Sequence, residues 1–360
     1  MFVYAGVLLS CLVLLTLASQ GSVSLQKWAT LCCVAGLTSF AAIRGYVGTD
    51  TYAYHTMFSD FSGESLSDIF VVIEPVFAVL IEFVALLSDN PFVYMICIAI
   101  IEGLLLAYAA LTSRDPIRFL SLYLVIFYLN LHFNVVRAGV AILLLILAMR
   151  VPKDSGHEIR FFVLGLLAVL SHYSAILGFV PLLLLRHHAA HSKWIAAGSV
   201  VLLLGVIYVS ADASVFVRYL DYVDLLVPDV TKTVSLSFLL SVPLYAMLYA
   251  CAVTKRNKVR ITLLFATWLF LRWLTSIFSL VGRVEMIVNA LLLFSIVELA
   301  LSGWRQRLRA WALTGLTAMW FFGALIGLQQ EESILEGLGV AGLYTQSPFV
   351  PYKFMWEDNQ

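Results

Sequence analysis

Apolar windows about twenty residues long recur along nearly the whole chain, separated by short polar turns. Taken as helices, they fall near 3–19, 26–43, 70–88, 91–112, 117–133, 135–149, 160–171, 173–186, 194–210, 235–254, 261–280, 284–302 and 310–328. The segments 160–171 and 173–186 are too short for two full spans. They read as half-helices, or short tilted ones, meeting at His172. A helix broken at bilayer depth survives only where protein or water satisfies the freed backbone groups.

The polar positions inside this pattern carry the information. Between Arg118 and Arg186 the chain is almost entirely apolar, yet Asn134, Arg137 and His172 stand in its middle. An ionisable side chain at that depth costs on the order of 3 kcal/mol, so its default reading is a functional site facing a wet cavity. Lys and Arg cluster at Arg114/Arg118, Arg150/Lys153/Arg160, Arg186/Lys193, Lys255/Arg256/Lys258/Arg260 and Arg305/Arg307/Arg309, each cluster one hairpin from the next. All five can face the cytoplasm together, which sends the turns at Asn134, His172 and Gly282-Arg283 to the outer side. For the acidic loop Arg44 to Ile69 to lie outside as well, segment 70–88 must dip in and return rather than cross.

Composition agrees with that pattern: 62% of residues are hydrophobic and 12% charged, with mean hydropathy +0.95. A soluble domain would carry about 25% charge. Zero net charge and the lack of a basic stripe exclude nucleic acid as a partner. The five cysteines lie in apolar runs without metal or disulfide spacing and read as small core hydrophobes. The first run, Val3 to Ala18, has no positive n-region and reads as a retained helix. No internal repeat or linker divides the chain, so residues 1–360 are expected to form one membrane-embedded domain.

Several residues outside the central stretch could join a site. The loop Arg44-Gly-Tyr-Val-Gly-Thr-Asp50-Thr-Tyr-Ala-Tyr54 combines a guanidinium, an acid, hydroxyls and aromatic rings, enough to hold a sugar and a phosphate. It reads equally as an interfacial turn in which Asp50 caps a helix starting at Thr51. Glu74 precedes Pro75, and either its carboxylate faces a cavity or the pair marks a helix start, where proline is comfortable. Glu82 and Glu102 have no motif around them, and helix–helix hydrogen bonding accounts for both.

Arg137 follows Asn134 by three residues, which on a continuous helix puts both on one face, able to clamp a diphosphate. The alternative for Arg137 is snorkelling to the interface. His172 is the one histidine deep within an apolar span, and reads as a core histidine, a general base or a phosphate ligand. Arg283 adds a third outer-side guanidinium, while Arg272 lies within a span and needs a partner such as Glu74 or Glu298. His187, His188 and His191 sit among cytoplasmic basic residues and read as a solvated face.

The order of these elements resembles the EpsG-like family of bacterial polysaccharide polymerases, within the Wzy class. The resemblance rests on Arg44 with Gly48-Thr49-Asp50 and Tyr54, Glu74-Pro75, Asn134-Val-Val-Arg137-Ala-Gly-Val-Ala141, Ser171-His172-Tyr173-Ser174-Ala175, Gly282-Arg283 and Pro351-Tyr352-Lys353. It spans nearly the whole chain. One departure is Ala138, where the family segment often continues with Gln.

The resemblance implies an all-α polytopic bundle of roughly 11–13 membrane segments, glycosyltransferase C-like, in the bacterial inner membrane. It implies a metal-independent glycosyltransferase without a cofactor, joining oligosaccharide repeat units carried on undecaprenyl diphosphate on the outer side. A flippase and a chain-length regulator of the same pathway, and membrane lipid, are the expected partners. The leaving diphosphate calls for guanidiniums, first Arg137 and Arg283, then Arg44, with Asn134 and Tyr54 alongside. The acceptor hydroxyl calls for a base, with Glu74, Asp50 and His172 as candidates, His172 as base or phosphate contact and Glu74 as the acceptor-side carboxylate. A flippase of the same lipid-linked glycan, or an O-antigen ligase, would use a similar site; polar residues gathered toward one face weigh against the flippase.

Overall fold

The helix starts are written in the residues just before them. Ser22 accepts the Leu25 N–H and opens a helix over Val23–Ala42; Ser65 accepts from Asp68 and opens Leu66–Val72. Asn90-Pro91 and Asp115-Pro116 each pair a side-chain cap with a proline in the first turn, where its missing N–H costs nothing. In the computed structural model, residues 2–45, 47, 50–152, 155–186, 254–275 and 281–297 are described, with 242, 245, 246, 249–252, 304 and 315 besides. Among them every regular element is helical.

In chain order the helices are α1 (Phe2–Ala18), α2 (Val23–Ala42), α3 (Thr51–Phe61), α4 (Leu66–Val72), α5 (Pro75–Ala85), α6 (Pro91–Leu111), α7 (Pro116–Tyr123) and α8 (Leu129–Phe133). There follow α9 (Val136–Arg150), α10 (Glu158–Ser171), α11 (Ile176–Arg186), α12 (Lys255–Thr275) and α13 (Val281–Val297). A π-helical stretch, Leu124–Tyr128, links α7 to α8, and a 3₁₀ turn, Tyr173–Ala175, links α10 to α11.

Two departures from the expected segments have physical causes. The segment expected over 70–88 is two helices, because Pro75 disfavours a helical conformation at Glu74 and starts a new helix instead. At 11 residues, α5 is about 16 Å long and cannot alone cross a hydrocarbon core of about 30 Å. The helix α12 begins at Lys255 rather than 261, since its charged first turns are good helix formers that an apolar window overlooks. The segments expected at 194–210 and 310–328, and most of 235–254, lie outside the described residues.

Two compact units divide the described chain. One holds 1–62 and 83–139, the other 63–82 and the described residues from 140 to 304. In the first unit α2 lies along α6 and against α1. The approach is close enough at Gly103 that a Cβ there would overlap Thr38. Tyr128 closes the core by donating its hydroxyl to the Leu37 carbonyl at 2.6 Å, and α3 packs on α6 through Phe58 and Tyr94, stacked at 5.4 Å.

In the second unit α10 and α11 fold back on one another, Gly165 making room for the Phe179 ring. Gly178 of α11 sits against Leu145, Ile287 and Leu291, which brings in α9 and α13.

Among the described residues, two elements are long and apolar enough to cross a membrane, Pro91–Leu111 and Pro116–Phe133. Large apolar side chains such as Leu9, Leu17, Phe83, Leu104 and Leu166 face out of the protein. Water would reject that surface and lipid accepts it.

Candidate functional site

In the second unit the site grows from two helix breaks. Ser171 ends α10 by turning its hydroxyl onto the Leu167 carbonyl at 2.7 Å. His172 then leaves helical geometry, at φ −160° and ψ 114°, while its N–H still bonds the Ala168 carbonyl at 3.0 Å. The expected pair of half-helices meeting at His172 is therefore present. At the other break the Glu74 carbonyl accepts the N–H groups of Phe77 and Ala78, both at 3.0 Å, and starts α5. The helix-start reading of Glu74-Pro75 holds.

The side chains at these breaks meet. His172 Nδ1 stands 3.0 Å from Glu74 Oε1, with side-chain exposures of 12% and 8%. A carboxylate beside Nδ1 favours the tautomer with the proton there, which leaves the Nε2 lone pair available and supports a positive imidazole if Nε2 gains a proton. Nε2 and the nearby Ser174 Oγ are both buried and have no hydrogen-bond partner among the described residues. Buried polar atoms are rarely left so without a purpose. Glu74, expected as an acceptor-side carboxylate, lies in contact with the imidazole. Arg272 belongs to α12, with its side chain outside the described atoms, as is that of Arg283 in the first turn of α13.

The first unit holds the other expected residues. Arg44 is buried, and its guanidinium carbon stands 5.0 Å from the centroid of the Phe133 ring. Arg137 stands 5.7 Å from the Tyr54 ring, and its backbone N–H donates to the Tyr54 hydroxyl at 3.4 Å. Burial raises the pKa of that hydroxyl, against the pull of Arg137. Asp50 occupies the N-cap position of α3, as its turn reading expected, but makes no capping bond through its side chain. Gly48 and Thr49 lie outside the described residues.

Two expectations need correction here. Asn134 and Arg137 do not share a helical face: Asn134 ends α8 at φ −115° and ψ −85°, and α9 begins only at Val136. The apolar run hid the break because Asn134-Val-Val contains neither proline nor glycine. Nor is His172 the only deeply placed histidine. His132, 1% exposed, lies 3.2 Å from the Glu102 carboxylate through Nδ1 and 3.0 Å from the Tyr123 hydroxyl through Nε2. Its signal was present in the sequence as a histidine four residues after Tyr128 within one apolar helix. Glu102 accordingly lies against a neighbouring helix, but neither of its oxygens makes the expected hydrogen bond among the described residues.

A model of the EpsG family matches residues 27–352, nearly the whole chain, including every candidate site residue named above. The chain belongs to the EpsG family. This places it among membrane-associated proteins of exopolysaccharide biosynthesis, with glycosyltransferase-like polymerase activity as the family's association. Nothing among curated proteins or solved structures matches the chain. Among the described residues no group of His, Cys, Asp and Glu has the makings of a metal site.

Proposed function

We propose that this EpsG-family protein is a multi-pass glycosyltransferase that polymerises repeat units carried on undecaprenyl diphosphate, at the outer side of the bacterial inner membrane. The observation that carries the reading is the Glu74–His172 pair with its open Nε2. A sugar hydroxyl is a poor nucleophile at neutral pH, and an imidazole oriented by a carboxylate is suited to take its proton. The acceptor oxygen bonds the anomeric carbon of the donor glycan as the bond from that carbon to the diphosphate breaks. The proton passes to His172 Nε2, and undecaprenyl diphosphate leaves with the bonding electrons. Charge gathers on that leaving group, which calls for guanidiniums, and the first unit by itself offers Arg137 and Arg44 as groups able to bind a lipid diphosphate. The outward orientation rests on the five Lys/Arg clusters, which stay in the cytoplasm.

Turnover of a purified, defined lipid-linked repeat unit tests this directly. Ladders of lengthening glycan on undecaprenyl diphosphate are expected. Transfer of single units to another acceptor would make the protein a ligase, and movement of the lipid across vesicles without a new glycosidic bond would make it a flippase.

A further inference from the structure

Glu102 stands near the middle of α6, a helix long and apolar enough to span the bilayer, and is fully buried. A carboxylate at that depth is costly, and replacing it with an apolar side chain of similar size would often be neutral for stability alone. What it touches points to a use. Its Oε2 lies 3.2 Å from His132 on α8. Its Oε1 lies so close to Gly139 on α9 that a Cβ there would overlap it. One carboxylate therefore lies against both helices on either side of the break at Asn134.

The contacts continue from His132 around a closed circuit within the first unit. His132 is followed by Phe133, whose ring lies under Arg44 and whose carbonyl accepts the Thr51 hydroxyl at 3.5 Å. Thr51 begins α3, which carries Tyr54 beneath Arg137. Arg137 lies two residues before Gly139, which returns to Glu102. The Tyr123 hydroxyl fixes the other nitrogen of His132 from the far side of the π-helical stretch, a kind of irregularity that often marks functional sites.

We propose that Glu102 is a positioning residue: by filling the space between His132 and the Gly139 backbone across the α8–α9 break, it sets the placement of the Arg44 and Arg137 guanidiniums for a diphosphate. The inference rests on the functional reading above, which gives those two arginines the lipid diphosphate.

Binding of farnesyl diphosphate to the purified full-length protein in detergent tests it, with farnesyl monophosphate as control and thermal melting to establish folding. Arg137→Ala should weaken diphosphate binding at least about tenfold, the loss of a charge-assisted contact. Glu102→Ala should weaken it at least about fivefold in folded protein, and less than about twofold further in an Arg137→Ala background, because residues acting through one another are not additive. Gly139→Ala pushes the same carboxylate from the other side. It should reproduce the loss, and add less than about twofold once Glu102 is alanine, where only the tight contacts to Leu131 at 3.2 and 3.3 Å remain; it is the deciding variant if Glu102→Ala does not fold.

Normal binding by Glu102→Ala and Gly139→Ala beside a defective Arg137→Ala overturns this inference alone. Equal losses from Glu102→Ala with and without Arg137 also overturn it. Normal diphosphate binding by Arg137→Ala and Arg44→Ala overturns the functional reading of those arginines, and the positioning role with it.

Discussion

Nδ1 of His172 and Oε1 of Glu74 stand 3.0 Å apart, so two helix breaks separated by 98 residues of sequence are joined through one proton. If that proton orients His172 as a base, Glu74→Gln keeps an acceptor for Nδ1–H but loses the charge that supports an imidazolium. A hydrogen bond to a charged group is worth about 1.5–3 kcal/mol, so polymerisation should slow about 10- to 100-fold. Initial rates with a defined lipid-linked repeat unit measure this. A rate within about twofold of wild type would remove Glu74 from the mechanism.

His172→Gln separates two roles that the geometry of the pair allows. An amide can still donate to a phosphate but cannot take a proton from a sugar hydroxyl at neutral pH. Loss of at least about a hundredfold in rate is expected from both His172→Gln and His172→Ala, within the usual range for a general base. Substantial polymer from His172→Gln alone would recast His172 as a phosphate contact.

The parts of the site that were legible in the sequence are those marked by local chemistry. Ser-His-Tyr-Ser interrupts an apolar run, so that break could be placed from the residues alone; Glu-Pro offered a helix start, but the apolar window over 70–88 ran through it. That the two breaks face each other could not be read, because it depends on helix packing between residues far apart in the chain. The same limit hid the partner of Glu102: nothing near it in sequence announces His132. Asn134 misled because a three-residue spacing fixes a shared face only on an unbroken helix, and the break there carries no proline or glycine. The charge of Arg186 reads as interfacial, whereas its surroundings are those of a buried anchor.

Arg137 lies over the Tyr54 ring, a platform suited to a flat guanidinium. Arg137→Lys keeps the charge and loses both the planar two-bond contact and the stacking, so polymer should fall nearly as far as with Arg137→Ala. Gel analysis of glycan length in cells producing equal amounts of protein checks this. Wild-type ladders from the lysine variant would return Arg137 to an interfacial, snorkelling role.

The first unit should also show a characteristic acid response. His55 is 3% exposed and lies 4.5 Å from the Phe92 ring. Burial, with the Arg44 charge added, lowers its pKa from 6.5 to about 4. The folded state thus binds fewer protons than the unfolded state between these values, and stability rises with pH there. Its contribution is fully present above about 6.5, declines as pH falls toward 4, and changes no further below that. Melting temperatures of wild type and His55→Gln between pH 7 and 4 should converge as pH falls. Parallel curves would mean that His55 does not titrate on unfolding.

Arg186 offers a stability test apart from chemistry. It ends α11, 5% exposed, and every arm of its guanidinium is engaged. Nε donates to both Glu158 oxygens at 2.9 and 3.1 Å, Nη1 to the Val151 carbonyl at 3.0 Å and Nη2 to the Pro152 carbonyl at 2.6 Å, all beside the Phe161 ring. Two of those acceptors are backbone carbonyls between α9 and α10 that alanine would leave without these bonds. Arg186→Ala should therefore cost about 2–4 kcal/mol. Arg186→Lys can keep the attraction to Glu158 but cannot reach both carbonyls in the same plane, and should cost about half as much. Glu158→Gln should cost about 1 kcal/mol or less, since that carboxylate is a third exposed and returns to water readily. Thermal unfolding of the three purified variants gives the order. If Glu158→Gln proves as harmful as Arg186→Ala, the ion pair rather than the carbonyl anchoring holds α11 in place.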